Sequence, residues 1–163
     1  QKSQNLMSDE INLNHLVNNT VALVNQDIHN ATENFKVMYS TEMVPVLGNY
    51  NQLQQVLLNL IHNSIEALEN HSQEIKIFTF FNQEEKYVGI GVSDQGCGID
   101  RENLTHIFNH FYNIRLGKSG GGLGLPISKE IIDLHNGKIK INSIKGNGTT
   151  VLFQLPVNVR RNK

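Results

Sequence analysis

The 163-residue sequence holds one cysteine, no tryptophan and three prolines. None of its apolar runs approaches the roughly 20 residues that a membrane-spanning helix requires. With Cys97 alone, neither an internal disulfide framework nor a cysteine-rich zinc site can form, and a reducing compartment fits. Charge of one sign is missing too. Fourteen Lys and Arg stand against 15 Asp and Glu, a net of −1, so no global field gathers nucleic acid or anionic lipid. Any phosphate binding must come from a local site. Residues 1–10, QKSQNLMSDE, lack the basic-then-apolar layout of a signal peptide and start without methionine. They read as the polar end of a preceding region in a longer chain. What the sequence does have is 39% apolar content, too much for a disordered tail and enough for one core.

Periodicity places the elements. Apolar residues Leu13, Leu16, Val17, Val24 and Ile28 share one side of a helix over 13–31, with Asn12 as its N-cap. Residues 35–39 and 44–47 are short, β-prone and separated by polar residues, which predicts a hairpin. The longest periodic run, 49–70, carries a stripe of Leu53, Val56, Leu57, Leu60, Ile61 and Leu68. At 100° per residue the stripe spans about 140°, and Asn59, Asn63 and Glu66 fall along one border of it. Strands over 75–81 and 87–93 predict an antiparallel hairpin, and strands over 138–144 and 149–155 flank the turn Gly-Asn-Gly at 146–148. Between them a helix over 123–136 tolerates Pro126 in its first turn and offers Gly137 as its C′ residue. The stretch 94–122 has no strong periodicity, and so long a loop in a compact domain is usually functional.

Chemistry concentrates in that loop and its flanking helices. Asp94-Gln-Gly-Cys-Gly-Ile99 sets a carboxylate at a strand end, followed by two glycines that let backbone approach a flat ligand. A buried carboxylate can accept from an exocyclic amine, although read alone the segment is more readily a glycine turn capped by its own aspartate. Gly120 to Leu125, GGGLGL, runs straight into a helix whose first N–H groups and dipole suit phosphate. Leu123 and Leu125 read as core anchors for the glycines. Asn59 and Asn63 lie one turn apart, and their amide oxygens suit Mg²⁺, which prefers oxygen and is often held by few protein ligands together with nucleotide phosphates; alternatively they simply border the stripe in water. Two other phosphate motifs fail. Gly117-Lys-Ser119 would need glycine where Tyr112 stands, and no G-x-G-x-x-G register fits.

Five segments in order, QLQQVLLNLIHNSIEAL at 52–68, SDQGCGI at 93–99, IFNHFY at 107–112, GGGLGLPISKEII at 120–132 and GNGTTVLFQLP at 146–156, closely resemble the catalytic ATP-binding domain of bacterial sensor histidine kinases. The resemblance covers roughly residues 11–157, leaving 1–10 as the end of a dimerisation or linker region and 158–163 as a tail. It implies an α+β fold of the Bergerat type: a two-layer sandwich with a mixed, mostly antiparallel sheet covered on one face by helices, and a mobile ATP lid over about 100–120. It implies that Asn63 coordinates Mg²⁺, Asn59 contacts phosphate and Asp94 binds the adenine amine. Gly96 and Gly98, with Ile99, open the adenine pocket, which Thr149 borders. Gly120, Gly122 and Gly124, with Leu123 and Leu125, wrap the triphosphate. Phe108 and Phe111 pack the lid base, and Arg115 and Lys118 are candidates for phosphate contact or solvated lid charges.

The resemblance also implies that the γ-phosphate goes to a histidine on a dimerisation domain of the same parent protein, and from there to the receiver domain of a response regulator. The parent would be a homodimer, soluble or membrane-anchored, and this piece a cytoplasmic monomer with no nucleic acid partner and no direct membrane contact. None of the seven histidines has the acidic follower of a phosphoacceptor, so all seven read as surface or ordinary polar positions without metal-ligand spacing. Glu66 stands where the family often has a basic residue, and reads as a pocket-rim or surface position. Hydrolytic members of the superfamily carry a glutamate where this chain has Asn59, and an amide cannot act as a general base. A degenerate nucleotide-binding or interaction module is the non-enzyme alternative.

Overall fold

The computed structural model describes residues 9–109 and 124–157. In chain order these form β1 (Asp9–Ile11), α1 (Leu13–Ala31), β2 (Phe35–Met38), β3 (Val46–Gly48), α2 (Tyr50–Ala67), β4 (Ile75–Asn82), β5 (Tyr87–Asp94), α3 (Arg101–Leu104), α4 (Gly124–Leu134), β6 (Lys138–Ser143) and β7 (Thr149–Pro156). β1 crosses the 10/11 limit expected for the domain, because Ile11 is core and pairs with Val46.

Local chemistry accounts for the helix ends. Asn12 Oδ1 accepts the N–H groups of Asn14 and His15 at 2.9 and 3.3 Å and starts α1. Asn49 Oδ1 accepts from Gln52 N at 2.9 Å and starts α2. At the end of α4, Asn136 N donates to the Asp133 carbonyl and Gly137 N to the Ile132 carbonyl, which is a Schellman closure. The left-handed C′ residue is therefore Asn136, at φ 59°, and not Gly137 as the sequence suggested. Gly137 serves another need, since a Cβ there would stand 2.4 Å from the Gln154 carbonyl oxygen of β7.

Five strands form one sheet in the order β2-β4-β5-β7-β6, and every pair but β2–β4 is antiparallel. The sheet is thus mixed and mostly antiparallel, as expected. Both later hairpins form as read, in β4–β5 and β6–β7. The hairpin predicted over 35–39 and 44–47 does not. β2 pairs in parallel with β4, Phe35 opposite Ile75, while β3 leaves the main sheet and pairs with β1. Strand propensity carries no information about a partner, and Pro45, which lacks an N–H, stands just before β3.

One face of the sheet bears Ile75, Ile77, Val88, Ile90, Val92, Phe153 and Leu155, all buried against the helices. There they join Leu53, Val56, Leu57, Leu60 and Ile61, the α2 stripe, and Leu13, Leu16, Val17 and Ile28 of α1. The opposite face carries Lys76, Phe78, Phe80, Leu152, Lys138 and Lys140, none of them buried. Phe78 and Phe80 lie across Gly91 and Gly89, where side chains would meet the rings at 2.1 and 2.3 Å. The result is two layers, with α2 and α4 side by side over one end of the sheet.

Candidate functional site

The end of β5, the second half of α2, the start of α4 and the β6–β7 turn enclose a cavity of about 320 Å³. Asp94 closes β5 and is 7% exposed at the wall of this cavity. Its Oδ1 accepts the Gly96 N–H at 2.8 Å, which orients the carboxylate within its own loop. The segment 94–99 runs between two fixed supports. On one side, Cys97 N donates to the Ala67 carbonyl at 3.0 Å, satisfying an acceptor that the C-terminus of α2 leaves open. Gly96 is required for that approach, since a Cβ would sit 2.4 Å from the same oxygen. On the other side, the Cys97 carbonyl accepts from Gly146 N at 2.7 Å. Gly98 sits at φ 70° with its Cα hydrogen where a Cβ would meet the Ile144 carbonyl at 2.1 Å, so both its angle and its neighbour demand glycine.

Thr149 opposes Asp94 in the β5–β7 register and also lines the cavity. Its Oγ1 is 2.7 Å from Ser143 Oγ, which in turn accepts from Ile99 N at 2.8 Å. Asp94, Gly98, Ile99 and Thr149 thus share one wall, with Gly96 directly behind Asp94.

The facing wall is helical. Asn63, half-buried on α2, lines the cavity, and its side chain makes no hydrogen bond to any described residue. Asn59, one turn earlier, is placed differently. Its Nδ2 donates to the Gly124 carbonyl at 3.3 Å and to Ser128 Oγ at 3.2 Å, and its Oδ1 accepts from Gln55 Nε2 at 2.9 Å. The amide therefore ties α2 to the first turn of α4. Leu125 is buried and lines the cavity floor, as an anchor should, and Gly124 lies against the Asn59 and Asn63 side chains. Glu66 is exposed on the cavity lining, a rim position. Phe108 packs half-buried against the core. Phe111, Arg115, Lys118, Gly120, Gly122 and Leu123 lie outside the described residues.

Sequence reasoning passed over three polar residues that the fold uses. Ser128 is fully buried and receives the Asn59 amide. Ser143 joins the 94–99 loop to the β6–β7 turn; its place opposite Thr149, flanking the Gly-Asn-Gly turn, was the available signal. His135 is the third, and it corrects the reading of every histidine as a surface or ordinary polar residue. Only 6% exposed, it accepts from Asn49 N through Nε2 at 3.0 Å while Nδ1 donates to the Ile131 carbonyl at 2.8 Å. This neutral tautomer joins the end of α4 to the start of α2.

A cavity walled by a buried aspartate, glycine turns and a helical asparagine, on a sheet covered by helices on one face, defines a nucleotide-binding architecture. A family model for the histidine kinase-, DNA gyrase B- and HSP90-like ATPases matches residues 48–159, and the chain belongs to this family. Similarity within it is to sensor histidine kinases. The chain is 34% identical over 154 residues to the signal transduction histidine-protein kinase AtoS of Escherichia coli (strain K12), covering 94% of this chain and 25% of that protein. It is 40% identical over 113 residues to the sensor histidine kinase WalK of Bacillus subtilis (strain 168), covering 65% of this chain and 18% of WalK. Among solved structures, a catalytic domain of histidine kinase ThkA superposes with a TM-score of 0.79 at 31% identity, covering 91% of this chain and 97% of that one. The chain therefore spans a quarter or less of AtoS and WalK, and nearly all of an isolated histidine kinase catalytic domain. Among the described residues no helix is long and apolar enough to cross a membrane.

Proposed function

We propose that this domain binds Mg-ATP in the cavity and presents the γ-phosphate to a histidine on a dimerisation domain of its parent protein, a homodimer in which this piece sits on the cytoplasmic side. A receiver domain of a response regulator then takes the phosphoryl group. The observation that carries the reading is the pairing of a buried, loop-held Asp94 with an Asn63 amide that has no partner among the described residues, in one cavity. An anionic acceptor at one end suits an exocyclic ring amine, and a neutral oxygen donor at the other suits a hard cation. The relatives support the acceptor side of the reading: a solved histidine kinase, ThkA, is described in complex with the response regulator protein TrrA.

Asp94 would accept from the adenine amine, and Thr149 would lie at the same edge. Asn63 would hold Mg²⁺ through its amide oxygen, and its lack of a partner among the described residues fits that use. When bound, Mg²⁺ would supply positive charge that offsets the charge of the phosphates. The chain's own residues do the positioning: the loop at 94–99 fixes the base, Leu125 anchors the first turn of α4, and Gly120, Gly122 and Gly124 are assigned to the triphosphate with Leu123. Arg115, Lys118 and Phe111 belong to the proposed lid. Phosphoryl transfer needs little covalent chemistry from the protein beyond such placement. Asn59 offers no carboxylate to activate water, so hydrolysis is not the task this site serves.

The test is phosphotransfer. Labelled ATP incubated with this chain alone should leave no phosphate on protein, whereas the parent protein containing the dimerisation domain should become labelled on a histidine outside these 163 residues. Label on a histidine within this chain would refute the assignment.

A further inference from the structure

Ser143, the last residue of β6, sits where three polar groups converge on one hydroxyl. Ile99 N lies 2.8 Å from Ser143 Oγ, the Gly148 carbonyl oxygen 3.0 Å and Thr149 Oγ1 2.7 Å. A serine hydroxyl has one proton and two lone pairs. Ile99 N can only donate, so it takes one lone pair. The Gly148 carbonyl can only accept, so the serine proton must point to it. The other arrangement, with that proton turned to Thr149, would set two oxygens 3.0 Å apart with nothing between them but lone pairs. Thr149 is then left to donate its own proton to Ser143.

This fixes what Thr149 can show the cavity. With its proton committed inward, its hydroxyl oxygen offers only lone pairs on the cavity side. Asp94, its register partner on β5, is likewise an acceptor, and Gly96 N already holds one of its oxygens. At this edge the side chains of these two residues therefore accept and do not donate, while the ammonium of Lys145, also on the lining, is a separate donor.

We infer that Ser143 is a specificity-positioning residue, one that sets the polarity of the Thr149 hydroxyl and so makes this wall select a purine with an amino group at ring position 6 over one with a carbonyl there. The inference rests on the adenine-nucleotide reading of the cavity given above. A 6-amino purine brings N–H donors to two acceptors. A 6-oxo purine brings an oxygen to the place of the amine, where it faces the lone pairs of Thr149 and the Asp94 carboxylate, and a site that accepts there disfavours a ligand that sets oxygen against oxygen.

Inosine triphosphate differs from ATP at this ring edge alone, so the preference for ATP over ITP is the quantity to measure, by calorimetric titration with magnesium present. The wild-type chain should bind ATP more tightly. Ser143→Ala frees the Thr149 proton to turn into the cavity, and the preference should narrow about tenfold. Ser143→Thr keeps a hydroxyl at the junction and should retain the wild-type preference. Because Ser143→Ala also removes the acceptor of Ile99 N, Thr149→Val provides a second path: it leaves the Ser143 bonds to Ile99 and Gly148 in place and should narrow the preference too. The inference is overturned if Ser143→Ala weakens both nucleotides equally, or if Thr149→Val keeps the full preference. A wild-type chain that retains neither nucleotide refutes the nucleotide reading itself. Tight ATP binding with an unaltered preference in both variants refutes only the role of Ser143.

Discussion

The end of the cavity that carries Asp94 is fixed by backbone, and the end that carries Asn63 is fixed by side chains. Around Asp94, the 94–99 loop is bolted to α2 through Cys97 N and the Ala67 carbonyl, and to the β6–β7 turn through Gly146 N and the Cys97 carbonyl. Glycines at 96 and 98 let those main chains meet. Around Asn63, the two helices are joined instead through side chains, by the Asn59 amide on Gly124 and Ser128 and, at the start of α2, by His135 on Asn49 N. A wall of backbone contacts is preorganised for a rigid ligand group such as a base. A wall joined by side chains can yield or re-form as a charged, metal-bearing ligand enters.

The same contrast divides two asparagines of one helix. Asn59 and Asn63 are one turn apart and share a face, yet Asn59 is spent on holding α4 and Asn63 faces the cavity without a partner among the described residues. Identical chemistry on the same helix thus joins two helices at one position and lines the cavity at the next.

Three experiments press on this contrast, in decreasing order of expected effect. Asp94→Asn replaces a charged acceptor by a neutral amide, and ATP affinity should fall about a hundredfold, near the loss of ~3 kcal/mol expected for a buried charged hydrogen bond. The loss should be the same with and without metal, as expected of a contact to the base. Calorimetry that shows unaltered affinity would remove Asp94 from the site. Asn59→Ala should cost the fold about 1–2 kcal/mol in urea denaturation, because two bonds to α4 are lost and buried Ser128 loses its donor. An unaltered unfolding midpoint would show that Asn59 does not carry the junction. The smallest effect concerns Cys97, the one cysteine in the sequence and part of the cavity lining. Saturating ATP should slow its alkylation by roughly the fraction of time the site is filled, read by mass spectrometry. A rate indifferent to ATP would place the nucleotide elsewhere.

Much of this was legible before any coordinates. The stripe from Leu53 to Ile61 is buried as its spacing requires, Asn12 caps where it should, and Asp94, Gly98, Ile99, Asn63 and Thr149 meet in one cavity. Features encoded within a few residues, a periodicity, a cap or a glycine turn, can be read from the chain directly. Features that depend on distant partners could not. β2 and β3 each look like half of a hairpin, but their partners are β4, some 40 residues downstream, and β1, some 35 upstream. His135 looks like a polar residue at a helix end until Asn49 N, 86 positions away, is found donating to it. Nothing local to Asn59 reveals that Ser128 lies opposite, so the bonds of its amide to α4 are not legible in the sequence.

The central claim is that the metal-dependent part of nucleotide binding runs through Asn63 and not through its neighbour one turn away. ATP should be titrated into the wild-type chain and into Asn63→Ala, each with excess magnesium and again with a chelator. The account predicts that magnesium strengthens ATP binding to the wild-type chain by at least about tenfold and that Asn63→Ala loses most of this gain, while affinity under the chelator is nearly unchanged. An equal loss of affinity in both conditions would contradict it.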